Sequence, residues 1–278
     1  MVLRVAASMT GISLMTSSFF RPLLGAALIG ASASAAFAGG LPSDWQVGGA
    51  AVVTPKYEGS KEYEVIGFPI VAPAGSLSST EFGAVQFRGL DDIRLRVFQY
   101  QGFEFGPLAG YRLGRDEDDG DLLDGIGDVD GGLVLGAYAA YDFGGIKPFV
   151  SYHHLVTGDV DGGYFRFGAE SKIPVAGTTG VTLVAGATYA SGAYMDEYFS
   201  ISAAQSAASV AGLAMYEADA GIKDLYIGAG TDIPLTDVWS LKLAAQYTHL
   251  LGDASDSPIV ETDSQFTGLV GLTYRFSR

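Results

Sequence analysis

The sequence predicts an all-β protein: an antiparallel up-and-down transmembrane β-barrel of about 12 strands, within a range of about 10–14, preceded by a signal peptide. Three observations predict it. The N-terminus reads as an export signal. The remainder alternates apolar and polar side chains with period two. The connections between the alternating segments are short and long in turn.

Residues 1–38 contain no Asp or Glu, and their only charged side chains are Arg4 and Arg21. An apolar run over 22–30 follows, and small residues end it at Ala36-Phe37-Ala38. A charged start, a short apolar middle and an A-x-A end are the parts of a cleaved secretory signal, and the run is too short to span a bilayer as a helix. Met9 and Met15 are alternative starts, because the charged region is long. Cleavage after Ala38 leaves 39–278 as the barrel.

Composition fits one-sided strands. Charged residues are 17% while hydrophobic residues are 48%, yet no apolar stretch of the mature chain is long enough for a spanning helix. There is no cysteine, which excludes a disulfide framework and thiolate metal sites. A formal net charge of −15 argues against nucleic acid as a partner.

Period-two alternation is clearest at the end of the chain. Phe266, Gly268, Val270, Leu272, Tyr274 and Phe276 alternate with Gln265, Thr267, Leu269, Gly271, Thr273 and Arg275. Trp239 to Thr248 repeats the pattern, with aromatics near the ends of the apolar face, where membrane interfaces lie. The same reading gives strands at 44–54, 63–73, 79–89, 91–100, 102–114, 128–143, 146–156, 162–174, 179–190, 216–233, 237–249 and 264–276. In the tenth, the pattern slips between Ile222 and Leu225, as at a bulge.

With the N-terminus in the periplasm, the inner turns are short: Gln101-Gly102, Gly144-Gly145-Ile146, 175–180 and 234–237. The outer loops 115–127, 191–215 and 250–263 are long, as barrels of this kind require. The polar faces then place Arg94, Arg96, Glu104, Arg112, Arg166, Glu170, Lys172, Lys242 and Arg275 in the lumen. Gly106, Gly168, Gly186 and Gly271 share that face and suggest space within it. A soluble sandwich would instead turn its charges outward.

Chemistry-bearing motifs are few. His153 and His154 are adjacent in a strand and point to opposite faces, so they do not converge on one metal; both read as polar residues at the membrane interface. His154 with Asp159 and Asp161, and His249 with Asp253, put a histidine near carboxylates at the outer rim, with nonspecific spacing. No hydrolase, metalloprotease or phosphate-loop pattern occurs, so the expectation is a non-enzyme without cofactor or metal. The acidic stretch Asp116-Glu117-Asp118-Asp119-Gly120-Asp121 lacks the ordering of a calcium loop. It reads as a solvated external loop whose carboxylates can share divalent ions with lipopolysaccharide phosphates. A short helix around Ser202–Ser209 is placed to cap the barrel or fold into its mouth.

Read together, several motifs resemble the MipA/OmpV family of outer-membrane proteins, the MltA-interacting protein-like group. They are Tyr57-Glu58-Gly59-Ser60, Arg115, Asp128 and Asp130 within 123–132, Tyr198-Phe199, and Asp253, Ser257 and Pro258 within 250–260. The chain departs from the family by ending Phe276-Ser277-Arg278 where an aromatic is usual, and by Ser200 where a glycine usually follows the Tyr-Phe pair. The resemblance implies a non-enzymatic outer-membrane scaffold contacting periplasmic murein hydrolase and synthase, besides membrane lipid and lipopolysaccharide. A small-solute channel is the alternative, since about twelve strands fall between filled and aqueous barrels.

Overall fold

The computed structural model describes residues 44–73, 85–158, 160–176 and 179–277. The signal segment 1–38, the first half of the third predicted strand and Asp159 lie outside the described residues. One antiparallel sheet contains every strand: β1 Asp44–Pro55, β2 Tyr63–Pro73, β3 Val85–Gly89, β4 Asp92–Leu95, β5 Phe98–Tyr100, β6 Phe103–Arg112, β7 Gly132–Tyr141, β8 Ile146–Leu155, β9 Gly163–Ala176, β10 Thr179–Ala190, β11 Gly221–Pro234, β12 Trp239–Leu250 and β13 Ser264–Ser277. Among the described residues, strands consecutive in sequence pair with each other except β2 with β3 and β4 with β5, the latter two both lying along β6, and the first strand pairs with the last, Trp45 opposite Phe276 and Val52 opposite Leu269. This is the curled up-and-down topology the alternation predicts.

The predicted strand 91–100 is two short strands, and Pro107 on the neighbouring strand supplies the reason. Arg94 pairs with Leu108 and Phe98 with Phe105, so β4–β5 carries one residue more than β6 over that interval. Pro107 has no N–H for the ladder, and the extra residue is accommodated as a bulge where that bond would have been.

The apolar faces point out. Along β13, Phe266, Val270, Leu272 and Tyr274 are exposed while Gln265 and Thr273 are buried. Among the described residues no helix is long and apolar enough to cross a membrane. Aromatic pairs edge the apolar belt: Trp239 with Tyr274 at 5.1 Å and Tyr141 with Phe143 at 4.5 Å at the end of the short turns, Tyr152 with Phe165 at 4.7 Å at the other.

The apolar core sits at one end, where the long loops fold together. Helix α1, Gly192–Phe199, starts at Ser191, whose hydroxyl accepts the Tyr194 N–H. Helix α2, Ala203–Ala208, starts with a capping box between Ser202 and Gln205, in the stretch read as a short helix. Helix α3, Gly252–Asp256, lies in the last loop. Tyr194, Met195, Tyr198 and Phe199 of α1 are buried against Leu250, Ala254, Tyr164 and Val134, while Leu123, Ile126, Ile201 and Ile259 pack with Tyr57. The long loops therefore form a packed cap, while the acidic stretch 116–121 stays at its surface. The tenth predicted strand begins at Gly221 rather than 216, because Tyr216 instead bridges Ile201 within this cap.

Candidate functional site

Beneath the cap the lumen is filled by charge. The key junction is Glu58, carried on the loop between β1 and β2. Its carboxylate lies 2.5 Å from Arg112 of β6 and 2.6 Å from Lys223 of β11, and it accepts the Tyr194 hydroxyl at 3.0 Å. One loop residue thus ties α1 to two walls that are far apart in the sheet.

A bulge places Lys223 there. Thr188 of β10 pairs with Asp224, and Tyr189 pairs with Ile222, so Lys223 is the skipped residue. Lys223 and Asp224 are consecutive yet both buried, and they pair with each other at 2.6 Å. Without the bulge, one of the two would face lipid.

Arg112 also reaches Asp91 at 3.2 Å, in the turn between β3 and β4, and its guanidinium lies among the rings of Tyr164, Tyr194 and Tyr198. Asp91 accepts the Tyr164 hydroxyl at 2.5 Å and faces Arg166 at 3.8 Å. Arg94 is held bidentately by Asp92 at 2.8 Å and by the faces of Tyr138 and Phe149. A second tier joins Glu104 to Arg96 and Lys147, and Glu170 to Lys147 and Arg88. The Arg88–Glu170 pair, at 2.7 Å, links β3 to β9 across the lumen.

Among the other polar-face residues, Lys242 pairs with Asp232 at 2.6 Å, Arg275 donates to the Asp237 carbonyl at 3.0 Å, and Lys172 is exposed. These three belong to the turn end and stand apart from the upper network. At Gly186 the structure does not leave the space the sequence suggests. A Cβ on Gly186 would lie 2.5 Å from the Tyr226 hydroxyl, so that ring fills the room the glycine provides.

The family-motif residues build the cap. The Tyr57 hydroxyl donates to the Ile259 carbonyl at 3.2 Å. Gly59 takes φ +98, and Ser60 is buried. Arg115 is 2% exposed and donates to the Tyr198 carbonyl at 3.0 Å. Asp128 accepts the Glu117 N–H at 2.7 Å, while Asp130 is exposed. Asp253 accepts the Asp219 N–H at 2.8 Å. Ser257 donates to the Phe199 carbonyl at 2.5 Å, beside half-buried Pro258. Ser200, where the family has glycine, accepts the Ala218 N–H at 2.9 Å and so closes α1 onto the next segment.

Electrostatics in the cap follow from burial and pairing. Burial alone would raise the Glu58 carboxyl, but Arg112 and Lys223 outweigh it and hold it from its ordinary 4.5 down to about 2. Burial pushes the Tyr198 hydroxyl up to about 12 and lowers the Arg115 guanidinium.

His153 is not an interface residue, as it reads from sequence. It is fully buried in the lumen, with Nε2 2.9 Å from Ser151 Oγ and Nδ1 3.2 Å from the Asp91 carbonyl, and its ring stacks on Tyr164. The Ser–His pairing resembles a nucleophile and its base, but both side chains are sealed from solvent, so no substrate carbonyl reaches Ser151. His154 is 3.9 Å from the exposed Asp161, and His249 faces Asp263 at 3.8 Å rather than Asp253. In the acidic stretch, the Asp119 carboxylate accepts the Asp116 N–H, and no group of three or more potential ligands converges among the described residues.

Comparison with known proteins bears on the same chain. The profile of the family described as "MltA-interacting protein MipA" matches residues 47–276. No curated protein sequence matches. Solved structures with similar chains include an outer membrane channel from Pseudomonas putida F1, 12% identical, covering 85% of this chain and 97% of that one with a TM-score of 0.41. An anion-selective porin from Comamonas acidovorans is 12% identical over 84% of this chain and 98% of that one, TM-score 0.32. The outer membrane protein OprG from Pseudomonas aeruginosa is 13% identical over 85% and 97%, TM-score 0.25.

Proposed function

The chain belongs to the MltA-interacting protein MipA family, and from that premise we propose that it is a non-enzymatic outer-membrane scaffold that holds a murein hydrolase at the membrane. The observation that carries this reading is the lumen. Glu58 joins the cap to Arg112 and Lys223, while Arg88–Glu170 braces the interior below. A passage for solutes would need those pairs to separate. A barrel so braced is a rigid platform rather than a conduit. The family's name refers to interaction with MltA, which supports a murein hydrolase as the partner class. Lipid surrounds the exposed apolar belt, and the acidic loop at the opposite end from the termini is placed to share divalent ions with lipopolysaccharide.

The test is retention of a murein hydrolase of the MltA class by the detergent-solubilised, immobilised protein. Retention above an unrelated barrel of similar size is expected; equal retention would overturn the scaffold reading. Planar-bilayer recording separates the channel alternative. The scaffold reading expects no stepwise current at any voltage, and regular steps would favour a channel.

A further inference from the structure

The surface of the cap has an uncharged, apolar stretch. From Tyr198 to Tyr216 no residue carries a charge. Helix α2 lies in this stretch without a buried residue, and Ala203, Ala204, Ala207 and Ala208 are exposed. After it come Val210, 72% exposed, and Met215, 65% exposed. Among the described residues no large apolar side chain is more exposed than Val210. The backbone here is fixed. The Val210 N–H donates to the Asp124 carbonyl at 3.0 Å, the Gln205 amide to the Ile126 carbonyl at 3.0 Å, and the Ser206 hydroxyl to the Leu213 carbonyl at 2.7 Å. Leu213 packs onto the cluster of Tyr57, Leu123 and Ile259, so it serves the core. Val210 and Met215 do not. They belong to the cap rather than to the strand faces, where hydrocarbon would cover them. A contiguous apolar surface rimmed by polar groups marks an interaction site.

The rim is acidic. On one side Val210 edges a cleft of about 500 Å³ whose walls carry Glu62, Glu117, Asp118, Asp121 and Asp124. Lys56 also lines the cleft, but Glu62 engages it. On the other side the Tyr216 hydroxyl donates to the Asp253 carbonyl at 2.9 Å, and Asp253 and Asp256 lie close enough for their charge to bear on that hydroxyl. Glu217 and Asp219, which follow at once, are exposed. This rim selects the occupant. A second copy would bring the same carboxylates against these, and like charges placed across an interface cost affinity. Lipid phosphates meet the same repulsion. The complement is a molecule with apolar side chains at its centre and cations around them.

We propose that the apolar stretch 203–215 and the acidic cleft beside it form one docking surface for a cationic amphipathic peptide. Its apolar side chains lie on Val210 and Met215, and its lysine or arginine side chains reach Glu117, Asp118 and Asp121. The surface is at the opposite end of the barrel from the termini, so this proposal is independent of the scaffold reading.

The probe is a fluorophore-labelled helical peptide of leucine and lysine, about 18 residues and so about 27 Å long. Its anisotropy is read against the full chain in phosphatidylcholine nanodiscs free of lipopolysaccharide and divalent ions. Saturable binding above that of nanodiscs without the protein is expected, weakening as salt rises. Val210→Ser with Met215→Ser should weaken it by about tenfold or more. Glu117→Gln with Asp118→Asn and Asp121→Asn should weaken it and flatten its dependence on salt. All five positions are exposed, and a heat-shifted band on a gel verifies folding. Binding indifferent to the Val210 and Met215 changes, or an oligolysine of the same length held as tightly, would leave only unspecific charge attraction and overturn the proposal. Equal binding of a leucine–glutamate peptide would overturn it too. So would a dimer in sedimentation that Val210→Ser with Met215→Ser abolishes, since the stretch would then belong to a second copy. In the unaltered chain, a benzophenone on the apolar face of the probe should cross-link to 203–215; cross-links confined to the strands would exclude the surface.

Discussion

Glu58 and Lys223 meet at 2.6 Å although 165 residues separate them. One comes from the first loop and the other from a bulge near the start of β11, so their contact fixes the cap on the barrel. Removing one partner strips the other of one charged contact, while Lys223 keeps Asp224 and Glu58 keeps Arg112, so the cost is that of a lost charge-assisted hydrogen bond, about 1.5–3 kcal/mol. Glu58→Gln should therefore loosen the cap by about 2 kcal/mol while the strands keep their pairing. Protease cutting within 192–216 should rise in the variant, with an unchanged heat-shifted band. Lys223→Met should do the same, and the double variant should be less damaged than the sum of the two. Strict additivity would mean that the two residues act separately.

Acid should release the same contact. The folded carboxyl of Glu58 lies near 2, against an ordinary 4.5. A depressed carboxyl contributes its stability above the unfolded value and loses it as pH falls through the folded one, so the loss runs from about pH 4.5 to about pH 2. The difference amounts to about 3 kcal/mol. Pepsin works across this window, with an unfolded substrate to normalise its rate. The cap should resist cleavage at pH 4 and yield near pH 2, and Glu58→Gln should be cut nearly as fast at either pH. A wild-type cap equally sensitive at both values would remove Glu58 from the account.

The barrel is legible in the sequence because period-two alternation is a local property, written along each strand without reference to its neighbours. The bulge at Lys223 is legible for the same reason: the alternation slips between Ile222 and Leu225. The break after Leu95 depends on Pro107 in the neighbouring strand, so 91–100 reads alone as one strand. The cap is less legible still. Tyr194, Tyr198 and Phe199 carry a helical face, but what buries them is Tyr164, Val134 and Leu250, brought together only once the sheet has curled. The clustering of Ala and Gln over Ser202–Ser209 made the next helix readable, and the structure starts it with a capping box between Ser202 and Gln205. Nothing local marks Asp91 as the partner of Arg112 and Arg166.

Gly59 offers a test of backbone geometry in the cap. Its φ is +98, and an added Cβ would lie 2.6 Å from Val260 Cγ2 and 3.0 Å from the Val260 Cα. Its carbonyl accepts the N–H groups of Glu261 and Thr262, so the first and last loops are stitched at this residue. Gly59→Ala must carry both the left-handed strain and the clash, together about 1–3 kcal/mol or more. Hydrogen exchange should quicken at the amides of Glu261 and Thr262 and stay unchanged in β6–β9. Unchanged exchange at those two amides would show that the loop absorbs the methyl group.

Ser257 tests whether α1 is held by the last loop or by its own apolar face. Its hydroxyl donates to the Phe199 carbonyl at 2.5 Å, at the C-terminus of the helix, and the side chain is 3% exposed. The carbonyls of the last helical turn have no partner within the helix, so this one depends on Ser257. Ser257→Ala strands a buried acceptor and should cost about 1–3 kcal/mol. Ser257→Thr keeps the hydroxyl and should recover most of that, less the strain of one more methyl in a packed place. Cleavage within 192–216 under mild denaturant reads both variants on one scale. If Ala and Thr variants fall equally, the loss comes from packing around Ile259 and Tyr57 rather than from the hydrogen bond, and α1 is then anchored by Tyr194, Met195 and Phe199 alone.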